Sequence, residues 1–512
     1  MVKTRSVFRH RKVCYRFIAS VVICALLALP LFPSQPYAAD QKATIRIALG
    51  GLPSQRGNPF RTSQTPTITV VSAIYDSLTW LETDGSILPW LATSWRNIDD
   101  LTWEFTLRDD VKFSNGRPFN AETVEFMVKY ITGSGPPTED LRRELEALAD
   151  ARATGPHTVE IMTRRPMPLF PRLASIMPMV DPAAWRDMGA DEYAERPIGT
   201  GPFIIDAWTE TSATFSANRD SWRPPKADKL EILAIRDQAA RLQAFLSDRI
   251  DITVGIEPDE ISIIEDSGGA VSTWQDGSVV GVFLRTDQDN PLADARVRQA
   301  LNMAVDRQAI VDILMGGRTV VASQPATTKA FGFDHSIAPY QYDPGAAKAL
   351  IAEAGYPDGF SFVLEVGIGN ALVQRVADDL SRIGVNMEIQ LRPIIAFLSD
   401  FTGGRLSLDG FMLSWAATPV LDATQAVALH SCLKPNPWYC DERIMPKIMA
   451  GMGEWDTDRA IDLRHEVMQF YHDETPGIFL HESVGFAGLN SRVSGFDYTY
   501  GKILYDRIGI SN

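Results

Sequence analysis

Apolar and polar positions alternate from Leu101 to Leu107, where Leu101, Trp103, Phe105 and Leu107 are separated by Thr102, Glu104 and Thr106. That period of two predicts a half-buried strand. Asp109-Asp110 interrupts the pattern, Val111 and Phe113 resume it, and Ser114-Asn115-Gly116 supplies turn chemistry. Asn120 then stands where its side-chain oxygen can accept from the open N–H groups of a helix. Val124, Met127, Val128 and Ile131 recur in that helix at helical spacing. Trp103 and Phe105 are accordingly expected in a core rather than against a ligand.

The same reading places a strand over 43–49 and a helix over 68–78. Further on come a strand over 230–235, a helix within RDQAARLQAFLSDRIDI and a return to strand beside Asp251. Asp294 is placed to cap a helix carrying Val297, Leu301 and Ala304 on one face, and Gly316-Gly317 ends the helix that follows. Asp343-Pro344 opens another helix, which Gly355 closes. Strands are predicted over 360–366, 385–391 and 411–415, with a helix over 371–383 between the first two. Strands alternating with helices imply an α/β sheet with helices on its faces.

At 512 residues the chain exceeds what one core usually organises, so two or more lobes are expected. Its 45% hydrophobic content with 9% aromatics indicates an ordered chain, without internal repeats or long polar tracts. The N-terminus runs from Lys3, Arg5, Arg9, Arg11, Lys12 and Arg16 through an apolar stretch over 17–32 to small residues at Ala38-Ala39, the form of a secretory signal over 1–39. Ile23 before Cys24 argues against lipid anchoring, which leaves a periplasmic protein that is not membrane-embedded. Removing the signal takes away six basic and no acidic residues, moving the formal net charge from −15 to −21. Such a surface repels phosphate backbones, so nucleic-acid binding is disfavoured.

Cys432 and Cys440 remain after that removal, in HSCLKPNPWYCDE, where Pro435 and Pro437 force a loop. In an oxidising compartment a disulfide is expected there, contributing roughly 2–3 kcal/mol by loop closure. Two free buried thiols are the alternative. No second Cys or His pair stands at zinc spacing. Gly199-Thr200-Gly201 and Gly367-Ile368-Gly369 lack the spacing of a nucleotide-binding loop, and nothing suggests a nucleophile beside its base. No enzyme activity and no cofactor are expected. His465 and His472 are read as solvent-facing, and His430 is a weak candidate for metal.

Residues 75–122, YDSLTWLETDGSILPWLATSWRNIDDLTWEFTLRDDVKFSNGRPFNAE, resemble the signature segment of extracytoplasmic solute-binding proteins of the peptide/nickel/opine class, family 5, the receptors of ABC importers. PIGTGPF (197–203), ADARVRQALNMAVDR (293–307), YDPGAAKALIAEAGYPDG (342–359) and ETPGIFLHE (474–482) extend the likeness in family order. The resemblance implies a two-lobed periplasmic-binding-protein fold with discontinuous lobes and a cleft between them. One lobe is expected from 40–83, 198–278 and 480–512, with an extra subdomain over 84–197, and the other from 279–479. The implied function is capture of a small solute, peptide-like in the first reading, for an ABC permease with cytoplasmic ATPase subunits, by a monomer. A nickel-chelate receptor is the alternative, and a hydrolase or a chaperone-like binder would belong to other classes.

In the family, ligand contacts come from the loop after the strand that ends here at Trp415, which makes Trp415 a candidate contact, with packing between lobes as the other reading. Peptide-binding relatives place an aspartate shortly after this tryptophan to meet a ligand amine. Ungapped, that position is Thr418, and the nearest acid is Asp422. The loop GLPSQRGNPFRTSQTP offers Asn58, Phe60, Arg61 and Thr62, with Arg61 available for a ligand carboxylate or simply solvated. WLATSW and LRDDVKFSNG resemble nickel-importer receptors, yet Met177 and Leu141 fall where those use an arginine and an aromatic.

Overall fold

In a computed structural model of the chain, Trp103, Phe105 and Leu107 are buried along the strand Thr102–Leu107, as their alternation requires. The structure describes residues 43–511, apart from 62–64, 134–139, 368, 394–395, 398, 401–402, 404, 406–407 and 435–436. The signal segment and Thr62 therefore lie outside the described residues. Thr102–Leu107 belongs to a four-stranded antiparallel sheet with Ala92–Asp99, Thr158–Thr163 and Leu148–Gly155. The helix Ala121–Thr132 buries Val124, Met127, Val128 and Ile131, and Asn120 Oδ1 accepts from the Thr123 N–H at 3.3 Å.

A ten-stranded mixed sheet organises the rest. Its order is Val385–Leu391, Phe360–Val366, Gly410–Ala416, Ala270–Leu284, Gly477–Leu489, Ile252–Val254, Thr44–Leu49, Lys229–Ala234, Ser212–Ala217 and Phe203–Trp208. The two central members are long antiparallel strands whose mutual register slips between Gln275 and Val279 and again at Gly281. They carry the chain between the lobes. On one side Ile45, Ile47, Phe105 and Phe215 share a core. On the other, Phe283, Phe411 and Tyr471 gather in one cluster, while Val297, Leu301, Leu364 and Val376 form a second.

The motif over 293–307 explains how the last crossing is fixed. Asp294 caps the helix Ala295–Ala304 by accepting from the Arg296 N–H at 2.9 Å. From that helix Arg298 donates to the carbonyls of Glu474 (2.6 Å) and Thr475 (3.0 Å), and Asn302 donates to that of Gly477 (2.9 Å). Arg307 reaches the Phe479 carbonyl, and burial pushes its guanidinium down to about 10, still charged near neutral pH. Buried cations bonded to backbone carbonyls hold the entry of Gly477–Leu489 in place.

Two expectations need correction. The first helix spans only Thr65–Val71, because the carbonyls of Ala73 and Ile74 are taken by the N–H groups of Phe203 (3.0 Å) and Gly201 (2.8 Å) instead of a further helical turn. His472 is half-buried rather than solvent-facing. It stacks on Tyr340 with centroids 4.5 Å apart, and its Nδ1 lies 2.8 Å from the Ser323 carbonyl.

Candidate functional site

A cavity of about 590 Å3 lies between the lobes. Ile68, Trp80, Trp90 and Lys502 line it together with Thr418 and Pro419, and the two long antiparallel strands contribute Asp276 and Gly485. Its walls are mainly apolar and aromatic in area, and the charged residues Asp76, Glu144, Arg223, Asp276 and Lys502 also border it.

One buried carboxylate orders the aromatic wall. Asp76 accepts from Trp90 Nε1 (2.8 Å), Trp222 Nε1 (3.0 Å) and Thr200 Oγ1 (2.7 Å) and pairs with Arg223 at 2.7 Å. Arg223 also reaches Asp506 at 2.6 Å. Trp90 in turn packs against Trp80 and edge-on to Trp222, with centroids 4.9 and 5.0 Å away. Thr200 is brought to Asp76 by the Gly199-Thr200-Gly201 turn, where a Cβ at Gly199 would stand 2.0 Å from the Ile74 carbonyl oxygen. Asp76 is thus saturated by protein donors and holds the tryptophans rather than a ligand.

Lys502 enters from the two-residue strand Lys502–Ile503, paired with Tyr498–Thr499. Its ammonium donates to the Ser175 carbonyl and stands 5.2 Å from the centre of the Trp80 ring. Burial pushes it down to about 8, against the pull of Asp76. Asp276 accepts from Ser483 Oγ at 2.6 Å and from the Ser278 N–H at 3.1 Å, and burial raises its carboxyl above the usual range. Trp274 lies against Tyr498 with centroids 4.1 Å apart.

Residues 86–431 match the model of bacterial extracellular solute-binding proteins, family 5 Middle. The chain belongs to this family. It is 26% identical over 345 residues to the glutathione-binding protein GsiB of Escherichia coli O1:K1 / APEC, covering 65% of this chain and 66% of that protein. It is 28% identical over 433 residues to the nickel-binding periplasmic protein of Escherichia coli K12, covering 79% of this chain and 82% of that protein. Its fold is that of the periplasmic binding protein DppA from Helicobacter pylori, solved with the peptide STSA, with a TM-score of 0.76, 20% identity, and 92% of this chain and 99% of that chain covered.

Within this family framework most of the anticipated contact residues are occupied elsewhere. Trp415 is fully buried among Phe283 (3.8 Å between centroids), Phe479 (4.9 Å) and His430 (5.7 Å), so it packs the second lobe and does not line the cavity. Asp422 is buried and forms an ion pair with Arg464 at 2.6 Å, which removes it as an amine acceptor. Phe60 sits in the first-lobe core, 5.0 Å between centroids from both Tyr130 and Trp185. Asn58 is buried with Oδ1 accepting from the Phe60 N–H at 2.9 Å, and Arg61 pairs with Asp191 at 2.9 Å away from the cavity. Of the anticipated residues that the structure describes, only Thr418 lines the cavity, beside the cis bond to Pro419.

His430 is enclosed by Phe283, 4.2 Å between centroids, and burial pushes it down to about 3. It packs a core, and among the described residues no three His, Cys, Asp or Glu side chains gather as a metal site. Cys432 and Cys440 are joined by a disulfide, with Cα atoms 4.7 Å apart. Met177 and Leu141 are both buried, and Leu141 adds an apolar patch to the cavity. Sequence reasoning missed Lys502, Trp80 and Asp276. Trp80 stands inside the signature segment, but no local pattern separates it from the core tryptophans there.

Proposed function

We propose that this family member is the receptor of an ABC importer, closing its lobes over a short peptide or peptide-like solute and presenting it to the permease and its cytoplasmic ATPase subunits. The working protein begins after residues 1–39, acts in the periplasm and is a monomer. One lobe comprises 40–83, 198–278 and 480–512 with the extra subdomain 84–197, and the other 279–479.

The observation that carries this reading is the cavity. Its 590 Å3 falls within the roughly 300–1,000 Å3 of small-molecule sites, and it offers broad aromatic surface together with Lys502 and Asp276. A solute that is apolar along its length and charged at its ends matches such walls. The relative that binds glutathione and the fold relative solved with a peptide support the same class. The relative that binds nickel points to a metal chelate, but the buried apolar Met177 and Leu141 provide no carboxylate clamp.

Native mass spectrometry of freshly purified protein tests this. A mixed pool of short peptides is expected to leave a retained species, and nickel with histidine is expected to give no saturable heat. Saturable nickel–histidine binding with no peptide retained would transfer the function to the metal-chelate class.

A further inference from the structure

Lys502 and Trp80 share one wall of the cavity. Trp80 is 4% exposed, and its indole Nε1 has no hydrogen-bond partner. That N–H is enclosed, so Trp80 borders the cavity through its ring and not through the N–H. Lys502 stands over the same ring, 5.2 Å from its centre. An ammonium carries three N–H donors, and the Ser175 carbonyl accepts only one of them. Among the described residues no carboxylate lies within ion-pair distance of Lys502. Asp76, whose charge acts on it, is already held by Arg223, Trp90, Trp222 and Thr200.

We propose that Lys502 and Trp80 form an anion-receiving end of the cavity, which takes a carboxylate of the solute. The inference rests on the peptide-like reading above and specifies which end of such a solute is held where. Two features converge on it: an ammonium without an ion-pair partner that stands over an aromatic ring, and a cavity that both residues line. Lys502 is only half-buried, so a ligand can reach it while most water is excluded. Burial lowers its proton affinity but leaves it mostly protonated at neutral pH, and an arriving carboxylate restores the missing counter-charge. Asp276 lines the cavity from the crossing strand, with its carboxyl already held by the Ser483 hydroxyl and the Ser278 N–H.

The test offers the signal-free chain two versions of one short-peptide pool, with free C-termini and with C-terminal amides, together with a panel of small non-peptide carboxylates. Retention is read by native mass spectrometry and affinity by calorimetry, in the native chain, in Lys502→Met and in Trp80→Phe. The free acids are expected to be retained over the amides, with at least a tenfold loss of acid affinity in Lys502→Met and little change in Trp80→Phe, which keeps an aromatic ring beneath the ammonium. If Lys502→Met fails to fold, Lys502→Gln and the acid-to-amide ratio of the native chain decide. Equal retention of acids and amides overturns the anion end while leaving the peptide reading intact. Retention of non-peptide carboxylates alone, lost in Lys502→Met, supports the anion end and overturns the peptide reading. Retention of neither class overturns both.

Discussion

Asp422 and Arg464, 42 positions apart, form a bidentate ion pair in the second lobe, with Nε and Nη2 donating at 2.6 and 3.1 Å. Both side chains are buried, and Arg464 also donates to the carbonyls of Gly451 and Ala460 at 2.9 Å. Removing one partner of such a pair strands the other charge out of water. Asp422→Ala is therefore expected to lower unfolding stability by about 3–5 kcal/mol, while solute retained per folded molecule stays unchanged. Denaturant melts paired with calorimetry check this, and lost affinity at unchanged stability would return Asp422 to the ligand.

Trp415→Ala is expected to behave likewise. The ring fills space above Gly281 and Gly477, where an added Cβ would come within 2.3 and 2.5 Å of its atoms. Truncation opens a large cavity in a closely packed core, at a cost of about 3–5 kcal/mol. Thermal unfolding should shift strongly and affinity of the folded fraction should not.

These two positions mark the limit of what the sequence discloses. The strand Thr102–Leu107 and the helix Ala121–Thr132 are legible because their signals are local: a period of two, a period near 3.6 and an asparagine cap. The periodicity of Gly410–Ala416 already places Phe411 and Trp415 on one face. What it cannot reveal is that the glycines opposite, more than 60 positions away in either direction, leave a slot for the indole. Lys502 is illegible for the same reason. It lies in a two-residue strand with no pattern of its own, and its surroundings come from Trp80 and Ser175 across the fold.

Arg172 bridges the lobes near the cavity. From the helix Phe170–Leu173 it donates to the carbonyls of Leu421 (2.8 Å) and Val420 (3.2 Å), and its guanidinium lies 5.5 Å from the centre of the Phe331 ring. Hydrogen bonds to a charged group contribute about 1.5–3 kcal/mol. Arg172→Met, which keeps most of the stem, is expected to speed solute release by about tenfold or more, since 1.4 kcal/mol is a factor of ten. Stopped-flow release measures the rate, and small-angle scattering should find the solute-loaded variant more open.

His430 gives a stability signature in acid. Its folded form stays neutral to about pH 3, whereas an unfolded chain protonates it near 6.5. Its faces meet the rings of Phe283 and Trp415, and its carbonyl accepts from Tyr471 Oη at 2.6 Å. The unfolded state therefore binds the extra proton, so this contribution is full above pH 6.5 and is lost as pH falls toward 3. The slope is about 1.4 kcal/mol per pH unit. Urea titrations at pH 7 and 4.5 should find His430→Phe losing less stability on acidification than the native chain, and equal losses would contradict the assignment.

The position of Gly477–Leu489 between Ile252–Val254 and Ala270–Leu284 carries a consequence for biogenesis. A nascent chain emerging N-terminus first, from a ribosome or a translocation channel, holds an unfilled slot in the middle of its largest sheet until residues 477–489 have appeared. Truncation within 477–489 is thus not a trimming of one end but the removal of a keystone, and vectorial synthesis delivers that keystone late.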